Sequence, residues 1–177
     1  FPSRRYMIGY LIPARNEEEN IAKVISSIRS AGGDLKDIFV IDNLSSDNTA
    51  KIALSLGVTI IKCHKTGYQK TLDKGLRILV EKNYDKFCII DGDNEISSSS
   101  LLSALKASED RNFVIGKRPK IKRLGEKVIN FYIYNRFGVE DLMCGLKIGK
   151  VKYYNPNNKL EYGIDLFRLE ELKKGEI

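Results

Sequence analysis

Two aspartates, Asp91 and Asp93, stand where a short apolar segment ends. That segment, residues 87–90 (FCII), is too short for a helix and lacks polar alternation, which predicts a buried strand leading straight into the acids. Ligands of open α/β sheets bind beyond the carboxyl ends of the strands, where two carboxylates offer oxygen ligands to a divalent cation. The pair is therefore a candidate metal site, and an ordinary turn rich in Asp, Gly and Asn is the alternative.

The elements that position this pair follow from the hydrophobic pattern. Four apolar segments predict strands, at residues 7–12, 38–41, 58–61 and 87–90. A first helix is predicted to start at Asn16, with Glu19 completing a capping box, a second at Ser46 or Asp47, and a third covers residues 68–83. Alternating strands and helices predict an α/β fold, with a Rossmann-like, mostly parallel central sheet and helices on both faces.

The rest of the chain predicts shorter elements and no second domain. A helix capped by residues 97–100, strands at residues 113–116 and 146–148, and a last helix at residues 164–172 complete the pattern. We predict one domain over residues 1–177 and leave residues 1–5 out of the fold. No GxGxxG follows the first strand, which disfavours a dinucleotide cofactor.

Composition narrows the class of protein further. The three cysteines form no CxxC pair and the only histidine is His64, which disfavours both a disulfide framework and a zinc site. No apolar run reaches the roughly 18 residues of a membrane span. We therefore expect a cytoplasmic protein with reduced thiols, peripheral to a membrane at most.

The net charge of +7 is concentrated in one segment. Residues 117–127 hold six basic side chains and one acidic side chain, which calls for an anionic partner such as nucleotide phosphates, anionic lipid or nucleic acid. Apolar residues three or four apart over residues 120–137 predict a helix with one apolar face. The pattern favours a helix packed on the core, and a helix lying on a membrane surface is the alternative.

Four stretches in this order resemble a known family. Residues 11–20 (LIPARNEEEN), residues 40–49 (VIDNLSSDNT), residues 67–75 and Asp91-Gly92-Asp93 are similar to the motifs of family 2 glycosyltransferases with the GT-A fold. Residues 141–146 (DLMCGL) further resemble a stretch of the polyprenyl-phosphate branch, the dolichol-phosphate-mannose-synthase-like enzymes. The similarity spans almost the whole chain.

The resemblance implies roles for particular residues. It places Pro13, Arg15, Glu17 and Asp42 around the nucleoside of a nucleotide-diphosphate sugar, UDP- or GDP-linked. Asp93 then ligates Mg²⁺ or Mn²⁺ directly. Asp91 contacts the ribose or a metal-bound water. The resemblance thus implies a metal-binding and a catalytic role for each of the two aspartates. Cationic candidates for phosphate or acceptor contact are Lys70, Lys117, Arg118 and Arg123.

The reaction that the resemblance implies is an inverting, metal-dependent sugar transfer. A polyprenyl phosphate is the favoured acceptor, because an anionic acceptor needs positioning and charge neutralisation more than deprotonation. A hydroxyl acceptor on a glycan is the alternative, with Asp141 or Glu140 as general base and Asp141 therefore a third catalytic candidate. From another class, the chain could be a non-catalytic basic module that binds RNA or an anionic membrane, although we expect no nucleic-acid partner.

Overall fold

A computed structural model describes residues 6–64, 67–118, 124–137, 140–141 and 144–154. Its strands are β1 (Ile8–Ala14), β2 (Ile38–Asp42), β3 (Thr59–Lys62), β4 (Lys86–Ile90), β5 (Phe113–Ile115) and β6 (Leu146–Lys150). They form one sheet in the order β3-β2-β1-β4-β6-β5. The first four are parallel, and β6 runs antiparallel between β4 and β5. The predicted mostly parallel sheet is confirmed, and the helix predicted at residues 164–172 lies outside the described residues.

Helices cover both faces of this sheet, as predicted. They are α1 (Ile21–Ser30), α2 (Thr49–Ser55), α3 (Tyr68–Glu81), α4 (Ser98–Ala107) and α5 (Leu124–Phe137). Because successive strand residues point to opposite faces, Ile12 and Val40 pack with α1, α2 and α4, whereas Leu11 and Ile41 pack with α3. The two resulting cores hold the strand ends in fixed positions. All three cysteines are buried.

The predicted start of the first helix at Asn16 is wrong. Asn16 has a left-handed backbone with φ of 57°, and its side-chain oxygen accepts a hydrogen bond from the Ser46 amide at 2.8 Å. The side chain is thus used between two loops, so the capping box with Glu19 does not form and α1 begins at Ile21. At α2 the N-cap residue is Asn48 instead of the predicted Ser46 or Asp47, although the Asp47 carboxylate accepts the Thr49 amide at 3.0 Å.

Helix α5 turns its predicted apolar face outward. Val128, Phe131 and Tyr132 are 65%, 72% and 61% exposed, whereas Asn130 on the opposite side is buried and donates to Asp141. At 3.6 residues per turn, that hydrogen bond fixes which side of the helix faces the protein. The interpretation of these three residues as core-packed is wrong. Of the helices in the described ranges, none is long and apolar enough to cross a membrane.

Candidate active site

A cleft of about 260 Å³ opens beyond the carboxyl ends of β1, β2 and β4. Its walls bring together five of the sequence-predicted site residues, which are Pro13, Arg15, Glu17, Asp91 and Asp93. Parallel strands place their carboxyl ends at one edge, so residues distant in sequence share a single cleft there. The cleft is completed by side chains that the sequence did not single out, from the end of β2 and the first turn of α3.

The two acids differ in their surroundings. Asp91 is half-buried, and the Tyr68 hydroxyl donates a hydrogen bond to its Oδ1 at 2.7 Å. Burial raises the pKa of Asp91, while the Tyr68 hydrogen bond and the charge of Lys147 act in the opposite direction. Asp93 is exposed and accepts the Glu95 amide at 3.1 Å. Asp91 is therefore held in place, whereas the carboxylate of Asp93 faces solvent and is accessible to a ligand.

A glycine from a distant part of the chain makes room for Asp91. A side-chain carbon added at Gly145 would lie 2.4 Å from Asp91 Oδ2, far inside the contact distance of real atoms. The carbonyl of Gly145 also accepts the Asp91 amide at 3.2 Å. The Asp91 carboxylate therefore sits between the Tyr68 hydroxyl on one side and the bare backbone of Gly145 on the other.

The donor set suits a magnesium-like cation that a substrate helps to bind. In the described part of the chain, no cluster of three or more His, Cys, Asp or Glu side chains is placed to hold a metal ion. Mg²⁺ in nucleotide enzymes is commonly bound by one or two carboxylates together with substrate phosphates. Asp91 and Asp93 in one cleft meet that requirement, with open space for the phosphates.

The loops after β1 and β2 are joined by side-chain hydrogen bonds. The Glu17 amide donates to Thr49 Oγ1 at 2.8 Å, and the Glu18 amide donates to Asp47 Oδ2 at 3.1 Å. In return, Glu18 Oε2 accepts the Asn48 amide at 3.0 Å. The acids and hydroxyls of both motif stretches are thus used to fix the two loops against each other, which preorganises one end of the cleft.

The end of β2 presents Asn43 to the cleft instead of Asp42. Asp42 is only 7% exposed, its Oδ1 accepts the Ser45 amide at 3.2 Å, and it does not line the cleft in the described structure. Asn43 lines the cleft. The predicted contact between Asp42 and the base stays a prediction, and the neighbouring amide is the better placed group.

Asp141 and Arg118 form a buried ion pair. Arg118 contacts both carboxylate oxygens of Asp141 with its guanidinium at 2.9 Å, and its backbone amide adds a third hydrogen bond at 3.0 Å. Burial acts to raise the pKa of Asp141. The hydrogen bonds from Arg118 and its positive charge outweigh burial and keep the pKa of Asp141 below its usual range. A carboxylate held in this way is a poor general base, because protonation would cost the ion pair.

The remaining predicted cations lie away from the acids or outside the described residues. Lys70 is exposed on α3 and does not line the cleft. Lys117 forms an exposed ion pair with Glu140, the other predicted base. Arg123 lies outside the described residues. A direct phosphate contact by any of these cations stays a prediction.

Sequence reasoning missed Asn43, Tyr68 and Thr71, which line the cleft, and Gly145, which contacts Asp91. The signal for Asn43 is its position directly after Asp42, because either of two adjacent polar side chains at a strand end can face the ligand. Tyr68 and Gly145 lie far from Asp91 in sequence, and no local pattern signals their contact with it. Their roles follow only from the fold.

The fold and the cleft define an α/β protein with its ligand site at the carboxyl edge of a mostly parallel sheet. The family model for glycosyl transferase family 2 matches residues 10–157. The chain belongs to this family, which confirms the resemblance at the family level. It is also 31% identical over 167 residues to the uncharacterized protein MJ0544 of Methanocaldococcus jannaschii, covering 81% of this chain and 71% of that protein.

Solved structures confirm the GT-A fold. Mannosyl-3-phosphoglycerate synthase from Rubrobacter xylanophilus superimposes with a TM-score of 0.70 at 19% identity, covering 83% of this chain and 54% of that one. Glucosyl-3-phosphoglycerate synthase from Mycobacterium tuberculosis was solved with Mn²⁺, UDP-glucose and glycerol 3-phosphate. It superimposes with a TM-score of 0.67 at 22% identity, covering 83% of this chain and 57% of that one. The chain thus spans little more than half the length of these enzymes.

Proposed function

We propose that this chain transfers a sugar from a nucleotide-diphosphate sugar to a phosphate-bearing acceptor, with inversion and with the help of Mg²⁺ or Mn²⁺. The observation that carries the proposal is the cleft in which Asp91 and Asp93 meet the ends of β1 and β2. Membership of family 2 and the GT-A fold support the donor class. The glucosyl-3-phosphoglycerate synthase, which shares this fold, was solved with UDP-glucose and Mn²⁺.

In the proposed reaction, Asp93 would hold the cation directly, and Asp91 would contact the ribose or a water bound to the cation. When bound, the cation would supply charge neutralisation for the departing nucleoside diphosphate. Tyr68 and Gly145 hold Asp91 at a fixed position, so that little reorganisation is required when the donor binds. Arg15 and Glu17 line the cleft on the side of β1, and in the proposed reaction they would contact the nucleoside.

Calorimetry tests the donor class. We expect UDP- or GDP-sugars to bind with Mn²⁺ present and to bind at least about tenfold more weakly without it, because the phosphates and the acids share the cation. Metal-independent binding of both nucleotides would contradict the proposed metal site. Binding of RNA that weakens steeply with salt, with no nucleotide binding, would favour the basic module instead.

The phosphate acceptor is favoured by the state of the two predicted bases. Asp141 is buried in its pair with Arg118, and Glu140 is paired with Lys117. A hydroxyl acceptor requires a general base, whereas an acceptor phosphate is already ionised and requires only positioning. We therefore retain polyprenyl phosphate as the proposed acceptor and a glycan hydroxyl as the alternative.

The outward face of α5 supports a membrane-embedded acceptor. Val128, Phe131 and Tyr132 form an exposed apolar strip beside exposed Lys127, a combination that suits the interface of an anionic bilayer. Apolar residues insert shallowly there, and each nearby lysine or arginine adds roughly 1 kcal/mol of attraction. We accordingly propose that the chain acts at the cytoplasmic face of a membrane.

Replacing Val128, Phe131 and Tyr132 together with serine tests this placement. We expect binding to anionic liposomes to fall more than about tenfold, because the variant loses the burial of three apolar side chains. Turnover with a liposome-embedded polyprenyl phosphate should fall in parallel, and turnover with a short, water-soluble analogue should stay unchanged. The measurements are liposome sedimentation and a transfer assay with both acceptors.

Leu54→Ser is the matched control, since Leu54 on α2 is 65% exposed, as is Val128. The control should retain liposome binding. Equal losses on the soluble and the embedded acceptor would assign the strip to the active site or the fold, and the absence of any loss would exclude it from membrane binding.

A further inference from the structure

A buried lysine lies close to the acids of the cleft. Lys147 is 5% exposed, although lysine is almost never fully buried unless it is paired. Moving an ammonium group out of water is costly, so a charge in this place requires an anion or a dipole nearby. The surroundings of Lys147 therefore indicate which charges it serves.

The pairing of β6 with β4 brings Lys147 toward the cleft. Lys147 lies opposite Ile89, two residues before Asp91, and the two strands are antiparallel. Residues that precede Lys147 in β6 therefore lie nearer the carboxyl end of β4. The Lys147 Nζ donates to the carbonyl of one of them, Cys144, at 2.7 Å. The ammonium group thus points toward the end of the sheet at which Asp91 leaves β4.

The Lys147 ammonium and the Asp91 carboxylate contact adjacent residues of the chain. Cys144 accepts the hydrogen bond from Lys147. The next residue, Gly145, accepts the Asp91 amide and has no room for a side chain beside Asp91 Oδ2. Burial raises the pKa of Asp91, and the charge of Lys147 is among the influences that lower it. A fixed positive charge thus lies close to the position proposed for the cation.

Such a charge has opposite effects on the two components that the cleft would bind. It repels a divalent cation and attracts a diphosphate, and both effects are larger in a partly buried site than in water. We propose that Lys147 sets the order in which the cleft is filled, by disfavouring a divalent cation in the empty cleft and attracting the diphosphate of the donor. The cation then enters with the nucleotide. This inference rests on the proposed function and concerns how the same site is loaded.

Calorimetry with Mn²⁺ alone, with UDP alone and with the premixed Mn²⁺–UDP complex tests the proposal. Lys147→Met removes both the charge and the hydrogen bond, whereas Lys147→Gln removes the charge and keeps an N–H donor for the Cys144 carbonyl. In both variants we expect Mn²⁺ alone to bind about tenfold more tightly and UDP alone about tenfold more weakly. Affinity for the premixed complex should change less than about threefold, because the two effects oppose each other.

Lys86→Met is the matched control. Lys86 is 1% exposed and its Nζ also donates to a backbone carbonyl, that of Ser108, but it lies at the amino end of β4. At about 3.3 Å per residue, the strand places it about 16 Å from Asp91. The control should keep wild-type affinity for both Mn²⁺ and UDP. Thermal unfolding of every variant shows whether it is folded, and Lys147→Gln provides the affinities even if the methionine destabilises the chain.

The outcomes distinguish a role of the charge from a structural role. Weaker binding of both Mn²⁺ and UDP to Lys147→Met, with wild-type values in Lys147→Gln, would assign the effect to the hydrogen bond with Cys144 and overturn the inference. Wild-type affinities in both variants would overturn it as well, and either result would leave the transferase intact. Failure of wild type to bind UDP in the presence of Mn²⁺ would overturn the proposed function, and the inference with it.

Discussion

Asp93→Ala is expected to lower sugar transfer by at least about a hundredfold and to leave the fold intact. The residue lies in the loop beyond β4, is exposed, and makes one backbone hydrogen bond, to the Glu95 amide. Loss of a metal ligand removes several kcal/mol of charge stabilisation from the departing diphosphate, whereas little packing is lost. Turnover and Mn²⁺-dependent binding of UDP measure the first effect, and thermal unfolding measures the second.

Two variants serve as comparisons. Asp91→Asn should also impair turnover severely but lower Mn²⁺ affinity less than Asp93→Ala, because its proposed contact with the cation is less direct. The opposite order would exchange the two roles. Asp110→Ala removes another exposed acid, which does not line the cleft, and should retain full activity. Full activity of Asp93→Ala would refute the metal site itself.

The features that could be predicted from the sequence are those with a local physical signal. Residues 87–90 are apolar on both faces and end in acids, so both the strand and the position of Asp91 at its end follow from one short segment. The spacing of Leu72, Leu76 and Leu79 similarly indicates the buried side of α3. Membership of the family could be inferred because its motifs occupy such strand ends.

The features that could not be predicted depend on contacts between distant segments. Asn16 has the side chain of a helix cap, but the Ser46 amide competes for it, and only the fold brings that amide within reach. Strand β6 follows β5 in sequence yet lies between β4 and β5, and hydrophobic periodicity contains no information on this order. The orientation of α5 likewise depends on a contact between distant segments, in which Asn130 donates to Asp141.

Gly145→Ala is expected to inactivate the site without removing any polar group. The backbone of Gly145 does not have a positive φ, so alanine is tolerated there by the main chain. The new methyl group would lie 2.4 Å from Asp91 Oδ2 and 2.6 Å from its Cγ, and one of the two residues must move. Displacing the Asp91 carboxylate breaks its hydrogen bond with Tyr68 and spoils the position of a proposed cation ligand.

We expect Gly145→Ala to lower Mn²⁺-dependent UDP binding by about tenfold and turnover by about a hundredfold, because small misplacements of positioned groups have large effects on rate. Calorimetry and a transfer assay provide the two values. Wild-type values for both would show that Asp91 can shift without consequence and would remove it from the metal site.

Two further variants show whether the effect passes through Asp91. Gly149 lies in β6, and Gly149→Ala brings a methyl group within 2.6 Å of the rings of Phe87 and Phe113, so it should lower stability by roughly 1–3 kcal/mol and keep UDP affinity. Tyr68→Phe removes only the hydroxyl that holds Asp91 and should cause a smaller loss than Gly145→Ala. Because both act on one carboxylate, their combined effect should be less than additive, and full additivity would show that they act independently.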